Sequence, residues 1–274
     1  MAVTTFRRRG TPKDPEGRMP LREHLDELRK RLFRAALGVV LGAIAGWFLW
    51  ADVILPALIE PLEQLSSGGL GALNYNSVIG PIEIQVKGAL WVGLIVSSPV
   101  WLYQLWAFVT PGLTRKERGY AIGFVAAAVP LFLAGVALAW TVLPTTIKFV
   151  AEFTSDGATN LIDAANYLSF VMRLLLAFGI SFIVPVLLVA LNFAGVVSGR
   201  QILNQWRIVV FLCFVFAAIF TPTPDALTMI VMALPLIVLF FIAIGVCLWN
   251  DKRRAKNKPQ DDYSTLDDDA ASPL

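Results

Sequence analysis

The residues with the clearest capacity for chemistry are carboxylates set in a basic segment near the N-terminus. The stretch HLDELRKRL, residues 24–32, contains Asp26 and Glu27, and Glu23 stands directly before it. Positive charge alone would anchor such a segment at a membrane surface, so we expect the carboxylates to serve a separate function. Their basic neighbours are Arg22, Arg29, Lys30, Arg31 and Arg34.

Other reactive sets cannot be assembled from this sequence. His24 is the only histidine, and Cys213 and Cys247 lie within apolar runs, so the ligands of a zinc or copper site are lacking. The sequence has neither the GxSxG turn of a serine hydrolase nor a nucleotide-binding loop. We therefore predict a protein that is not an enzyme, with no catalytic residues, metal or cofactor.

The carboxylates must be positioned by a helix that leads into a membrane. Leucines at spacings of four, three and four residues form one apolar stripe, with the charges turned outward. An apolar run of about 20 residues, the length that crosses a bilayer, follows directly. The leucines of the stripe are Leu21, Leu25, Leu28 and Leu32.

The composition is that of an integral membrane protein. The 274 residues are 57% hydrophobic and 16% charged, with a mean hydropathy of +0.67. We predict an all-α polytopic membrane protein with six transmembrane helices and no removable signal peptide. The six apolar runs are residues 33–53, 86–109, 120–143, 167–193, 208–220 and 227–249.

The distribution of lysine and arginine predicts the orientation. Twenty of the 23 fall in the N-terminal segment, between runs two and three, between runs four and five, or after run six. Such residues concentrate on the cytoplasmic side, so both termini are expected in the cytoplasm. The other three are Lys87 and Lys148 in the opposite loops and Arg173 within run four. The net charge of +3 gives no indication of nucleic-acid binding.

Two features of the runs affect shape. The fifth run is roughly 20 Å long as a helix, against about 30 Å of hydrocarbon, so either the bilayer thins there or neighbouring helices shield a short span. Prolines inside or near the middle of four runs are expected to bend their helices. These prolines are Pro99, Pro130, Pro185 and Pro235.

The segments outside the runs differ in character. Residues 52–85 contain Ile54, Leu55, Leu58 and Leu62, which are spaced for an amphipathic helix on the membrane face, and residues 144–166 form a second structured outer segment. We divide the chain into a basic mobile tail (1–20), a six-span membrane domain (21–250) and a disordered basic-then-acidic tail (251–274).

Four motifs in order resemble the TatC family of twin-arginine protein translocases. They are HLDELRKRL (24–32), PVWLYQLWAFVTPGLTRKER (99–118), YLSFVMRLLLAFGISFIVPVLL (167–188) and TPTPD (221–225). The resemblance covers about residues 21–249. It implies six bent helices in a cupped arrangement and recognition of folded cargo whose signal carries two consecutive arginines.

The resemblance also implies a binding site on the cytoplasmic side. Its signal-binding carboxylates are Glu27 and Glu117, and paired guanidinium donors match a carboxylate better than an ammonium does. Arg29 and Arg118 are expected to hold these carboxylates or compete for them. The alternative is that Glu27 pairs with Arg31 or Lys30 along its own helix.

Further residues are implied more generally. Phe108, Pro111 and Leu113 match the first cytoplasmic loop, where the signal is expected to lie. Partner or structural roles are implied for four residues. Pro61 is an outer-loop proline, and Tyr103 and Gln104 would line the cup or form hydrogen bonds between helices. Asp225 is the fourth, and its alternative role is to cap the last helix.

One position departs from the family pattern. Ile183 stands where many relatives carry an intramembrane glutamate or glutamine, so that role is absent, unnecessary or taken by a neighbour such as Ser181 or Arg173.

The sequence thus predicts a twin-arginine signal receptor and core scaffold in the bacterial cytoplasmic membrane, exporting folded proteins. Its expected partners are single-span TatA- and TatB-like proteins, further copies of itself and the lipid bilayer, with the proton motive force as energy source. The alternative is a secondary transporter of a small solute that uses Arg173.

Overall fold

The first span is part of a long helical segment. The computed structural model describes residues 21–66, 72–109, 117–152, 161–220 and 226–257. Helix α1 (Leu21–Leu49) passes through a π-helical turn (Trp50–Ile54) into α2 (Leu55–Ser66). Leu58 and Leu62 on α2 are buried while Glu60 is exposed, which confirms the amphipathic pattern. The leucine face packs into the core of the protein itself, and the Tyr167 hydroxyl donates to the Leu58 carbonyl at 2.9 Å.

The second span is bent. Helices α3 (Gly80–Val96) and α4 (Ser98–Val109) meet at an angle of 61° around Ser97. Pro99 lies in the first turn of α4, where a helix does not need a backbone N–H donor. The Trp101 indole bridges the bend by donating to the Leu94 carbonyl at 2.9 Å. The bend predicted from Pro99 is therefore present, directly before the proline.

The third helix is longer than the sequence predicts. Helix α5 (Glu117–Glu152) contains both Pro130 and Pro144 and continues past residue 143, where the predicted apolar run ends. A proline inside a helix loses one backbone hydrogen bond. Packing offsets that loss here, because Thr146 and Ile147 beyond the proline are buried.

The remaining helices complete the bundle. They are α6 (Ala164–Phe193), α7 (Gly199–Asn204), α8 (Trp206–Phe220) and α9 (Ala226–Asn257). Helix α8 has 15 residues, about 22 Å, as expected for the short fifth span. Helix α9 continues past residue 250, where the tail was predicted to begin, through Asn257.

The architecture confirms the predicted all-α class and its spans. Within the described ranges, four helical segments are long and apolar enough to cross a membrane, and the bent α3–α4 pair makes a fifth. Together with the shorter α8, they correspond to the six predicted runs. The main core joins the π-helical turn, α2, α6 and α9 through buried side chains that include Trp50, Leu58, Phe178, Phe182 and Leu236, and α3, α5 and α8 also contribute to it.

A small strand pair was not predicted. Strands β1 (Ala72–Asn74) and β2 (Leu161–Asp163) pair in parallel, with Leu73 opposite Ile162. The Asn76 amide donates to an Asp163 carboxylate oxygen at 2.6 Å, while the other oxygen accepts from the Asn166 backbone at the start of α6. The pair therefore connects the segment before α3 to the segment before α6.

A buried polar cluster joins α6 to α9 at the opposite end of the bundle. The Asn192 side chain is 1% exposed. Its amide donates to the Val197 carbonyl at 2.9 Å and to Asp251 at 2.8 Å, and its oxygen accepts from Asn250 at 2.9 Å. The second Asp251 oxygen accepts from the Gly199 backbone at 2.7 Å. These bonds hold the α6–α7 turn against the last turns of α9.

Replacing Asn192 with alanine is expected to destabilise this end by about 1–3 kcal/mol, because the Asp251, Asn250 and Val197 groups lose a buried partner. The melting temperature of the purified protein in detergent measures the effect. Asn204→Ala, on the exposed end of α7, is the matched control and should leave the melting temperature nearly unchanged. Equal melting temperatures for the two variants would contradict a stabilising role of the cluster.

Candidate functional site

The N-terminal end of α1 packs on the C-terminal end of α4. The rings of His24 and Phe108 stack with their centroids 4.6 Å apart and their planes at 18°. Further along the same pair, a β-carbon built on Gly38 would lie 2.9 Å from the Val100 side chain, so the helices run antiparallel in close contact. This arrangement attaches the HLDELRKRL motif to the second motif.

Small residues allow α1 to follow both halves of the bent span. A β-carbon on Gly42 would lie 2.7 Å from the Gly93 carbonyl oxygen, and one on Gly46 would lie 2.6 Å from the Ala89 carbonyl oxygen. Glycine is therefore needed for the backbones of α1 and α3 to approach this closely. The bend then directs α4 along the remaining, charged end of α1.

The Glu27 carboxylate lies at this end of the α1–α4 pair, and only one of its two oxygens accepts a hydrogen bond. Arg31 donates to its Oε1 atom from Nε at 3.0 Å and also from Nη2. The Oε2 atom is buried and makes no hydrogen bond with any residue that the structure describes. The two side chains are only 23% and 21% exposed for Glu27 and Arg31. The pairing of Glu27 along its own helix is thus confirmed, with Arg31 as the partner.

A second acceptor lies at the same level. Glu27 is three residues beyond His24 on α1, and Gln104 is four residues before Phe108 on α4, so antiparallel packing places both one turn inward from the stacked rings. The Gln104 Oε1 atom is buried and likewise lacks a hydrogen bond within the described ranges. We call His24, Glu27, Arg31, Gln104 and Phe108 the α1–α4 site.

The other residues predicted for the site lie beside it or outside the part of the chain that the structure describes. Arg29 is exposed. Arg31 lies beside Glu27, in the position that was expected for Arg29. Tyr103 is 44% exposed on α4. Glu117 and Arg118 begin α5, and Pro61 lies within α2, but their side chains are outside the described part. Pro111, Leu113 and Asp225 also lie outside the described residues.

The stack of His24 on Phe108 was missed by the sequence reasoning. The two residues belong to different motifs, and no spacing along one helix relates them. The sequence feature that could have indicated this contact is the predicted orientation, because it places the start of span one and the end of span two on the same side of the membrane.

Ile183 is buried in an apolar environment. It is 7% exposed and packs in a cluster with Leu102, Trp106 and Phe132. The Ser181 hydroxyl donates to the Ala177 carbonyl of its own helix at 2.7 Å, and the exposed Arg173 lies ten residues earlier, about 15 Å along α6. Neither side chain therefore places a polar group beside Ile183.

Comparisons with known proteins agree with this architecture. A family model described as Sec-independent protein translocase protein (TatC) matches residues 23–235. The chain belongs to the TatC family. The Sec-independent protein translocase protein TatC of Xylanimonas cellulosilytica is 51% identical over 238 residues, which cover 86% of each chain. The TatC protein of Rothia mucilaginosa is 40% identical over 243 residues, covering 88% of this chain and 83% of that protein.

The TatC fold is also matched in three dimensions. A crystal structure of the twin-arginine translocase receptor TatC in DDM superposes with a TM-score of 0.66 at 33% identity, covering 82% of this chain and 99% of that one. The family recognised in the four motifs is confirmed, and with it a membrane-embedded component of the Sec-independent translocase. Within the described residues of this TatC chain, no group of three or more His, Cys, Asp or Glu side chains could hold a metal ion.

Proposed function

We propose that this TatC-family chain is a receptor for twin-arginine signal peptides and binds them at the α1–α4 site. The chain lies in the cytoplasmic membrane with both termini in the cytoplasm and serves as the scaffold on which single-span TatA- and TatB-like partners assemble. Export of the folded cargo draws on the proton motive force.

The observation that carries the proposal is the half-used carboxylate of Glu27. Its Oε2 atom is buried without a hydrogen bond to a described residue, as is the Gln104 Oε1 atom one turn inward on α4. Buried acceptors without donors cost free energy. A guanidinium brings five N–H donors in a planar fork, whereas an ammonium has three at a single point. An arginine side chain therefore suits this pair of acceptors better than a lysine does.

The side of the membrane supports the same proposal. The α1–α4 site lies at the N-terminal end of α1, directly after the basic N-terminal segment, and basic residues concentrate on the cytoplasmic side. A signal peptide meets the translocase from the cytoplasm. Glu117 begins α5 on the same side and is the second carboxylate we assign to signal binding.

The test is peptide binding to the full-length protein in lipid nanodiscs. One signal peptide is titrated with its arginine pair intact and with both arginines changed to lysine, which keeps the charge and removes the fork. Tight binding of the first peptide and weak binding of the second is the expected result. Equal binding of the two peptides, or binding of neither, would overturn the proposed receptor function.

A further inference from the structure

The α1–α4 site already contains a guanidinium of its own. We infer that Arg31 is a built-in competitor that occupies Glu27 until a cation of the signal displaces it, and that this competition lowers the affinity of the site for signal peptides. The inference rests on the proposed receptor function and assigns an affinity-setting role to Arg31.

The geometry shows what Arg31 occupies. Both of its donors, Nε and Nη2, are directed at the single Oε1 atom of Glu27. The pair is four residues apart on α1, the spacing at which helical side chains meet. Oε2 stays buried without a donor from a described residue. One carboxylate oxygen is therefore occupied, and an incoming guanidinium can pair with both oxygens only if Arg31 moves away.

Burial makes the exchange depend on a replacement cation. With about four-fifths of each side chain covered, Glu27 cannot lose Arg31 without another positive partner, because an uncompensated buried charge is costly. A signal arginine can replace the fork with an equivalent fork, so the exchange nearly conserves hydrogen bonds. A signal lysine brings only a point charge and gains less at the vacated carboxylate. Releasing Arg31 costs the same whichever cation enters, so the competitor lowers both affinities by the same factor.

Neighbouring cations do not share this position. Arg29, Lys30 and Arg34 are exposed on the same helix. Arg34 lies three residues beyond Arg31 and offers a matched control, since changing it removes the same charge from the same helix and leaves the Glu27–Arg31 pair in place.

The experiment compares Arg31→Gln and Arg34→Gln with the wild-type full-length protein in nanodiscs, using the arginine and lysine forms of one signal peptide. Arg31→Gln is expected to raise the affinity for both forms by the same factor of about two to five, so that the ratio of the two affinities stays unchanged. Arg34→Gln should leave both affinities unchanged. Arg31→Lys keeps the charge without the fork and should give an intermediate gain in affinity.

The outcomes separate the two claims. If the wild-type protein does not prefer the arginine form, the receptor function itself fails. If the wild-type prefers it but Arg31→Gln weakens binding or leaves both affinities unchanged, Arg31 is a positioning or structural residue and the competition is refuted. An equal gain with Arg34→Gln would attribute the effect to net charge and refute it as well. Melting temperatures check that each variant is folded.

Discussion

Changing Glu27 to glutamine is expected to lower the affinity for a twin-arginine signal peptide by roughly 10- to 150-fold. The substitution keeps the size of the side chain and an acceptor oxygen but removes the charge that pairs with a guanidinium. It also leaves Arg31 without its charged partner, so that two cations then meet in a site that is about four-fifths buried. Peptide titration in nanodiscs measures the loss.

The control for this prediction is Glu60→Gln, because Glu60 is an exposed carboxylate on α2. It should bind the peptide as the wild-type protein does. Cargo export provides a second measurement, and the double variant Glu27→Ala, Glu117→Ala should lose it. Export that persists unchanged in the double variant would show that these carboxylates do not read the arginine pair.

Changing Gly93 to valine is expected to separate α1 from α3 and destabilise the fold by more than about 3 kcal/mol. A β-carbon at this position would lie 2.4 Å from the Ala43 backbone nitrogen and 2.7 Å from the Ala43 α-carbon. Backbone atoms cannot move aside as a flexible side chain can, so the helices must shift. A drop of at least about 6 °C in melting temperature and loss of signal binding should follow, because α4 would lose its alignment with the charged end of α1.

Gly245→Val is the matched control for this second prediction. Gly245 lies on α9 with no atom within 4 Å of its built β-carbon, so the same substitution meets open space. It should change the melting temperature little. If Gly93→Val were as stable as Gly245→Val, close packing of α1 on α3 would not be required for the fold.

The sequence was sufficient where the determinants are local. Apolar runs of membrane length predicted the spans, and the period of Leu55, Leu58 and Leu62 predicted an amphipathic helix after the first span. Pro99 predicted the bend of the second span. The Glu27–Arg31 pair was also within reach, since residues four apart on one helix are neighbours whatever surrounds them.

Other features depended on residues that are far apart in the chain. Pro144 stays helical because the turns beyond it are buried, and α9 extends past residue 250 while Asp251 bonds to Asn192 and Gly199. The strand pair needs Ala72–Asn74 to meet Leu161–Asp163. None of these contacts leaves a periodic signal along the sequence.

The candidate site also combines features that the sequence predicted with features that only the tertiary structure shows. Its carboxylate was identified from composition and motif, because a negative group in a basic membrane-surface segment is unusual on its own. Only the packing of α1 on α4 decided which carboxylate oxygen remains available. The same packing stacks His24 on Phe108 and buries the Gln104 Oε1 atom one turn inward. Hydrogen bonding and burial depend on the whole surroundings of an atom, and for this site those surroundings come from two helices, α1 and α4, between which α2, β1 and α3 lie in the sequence.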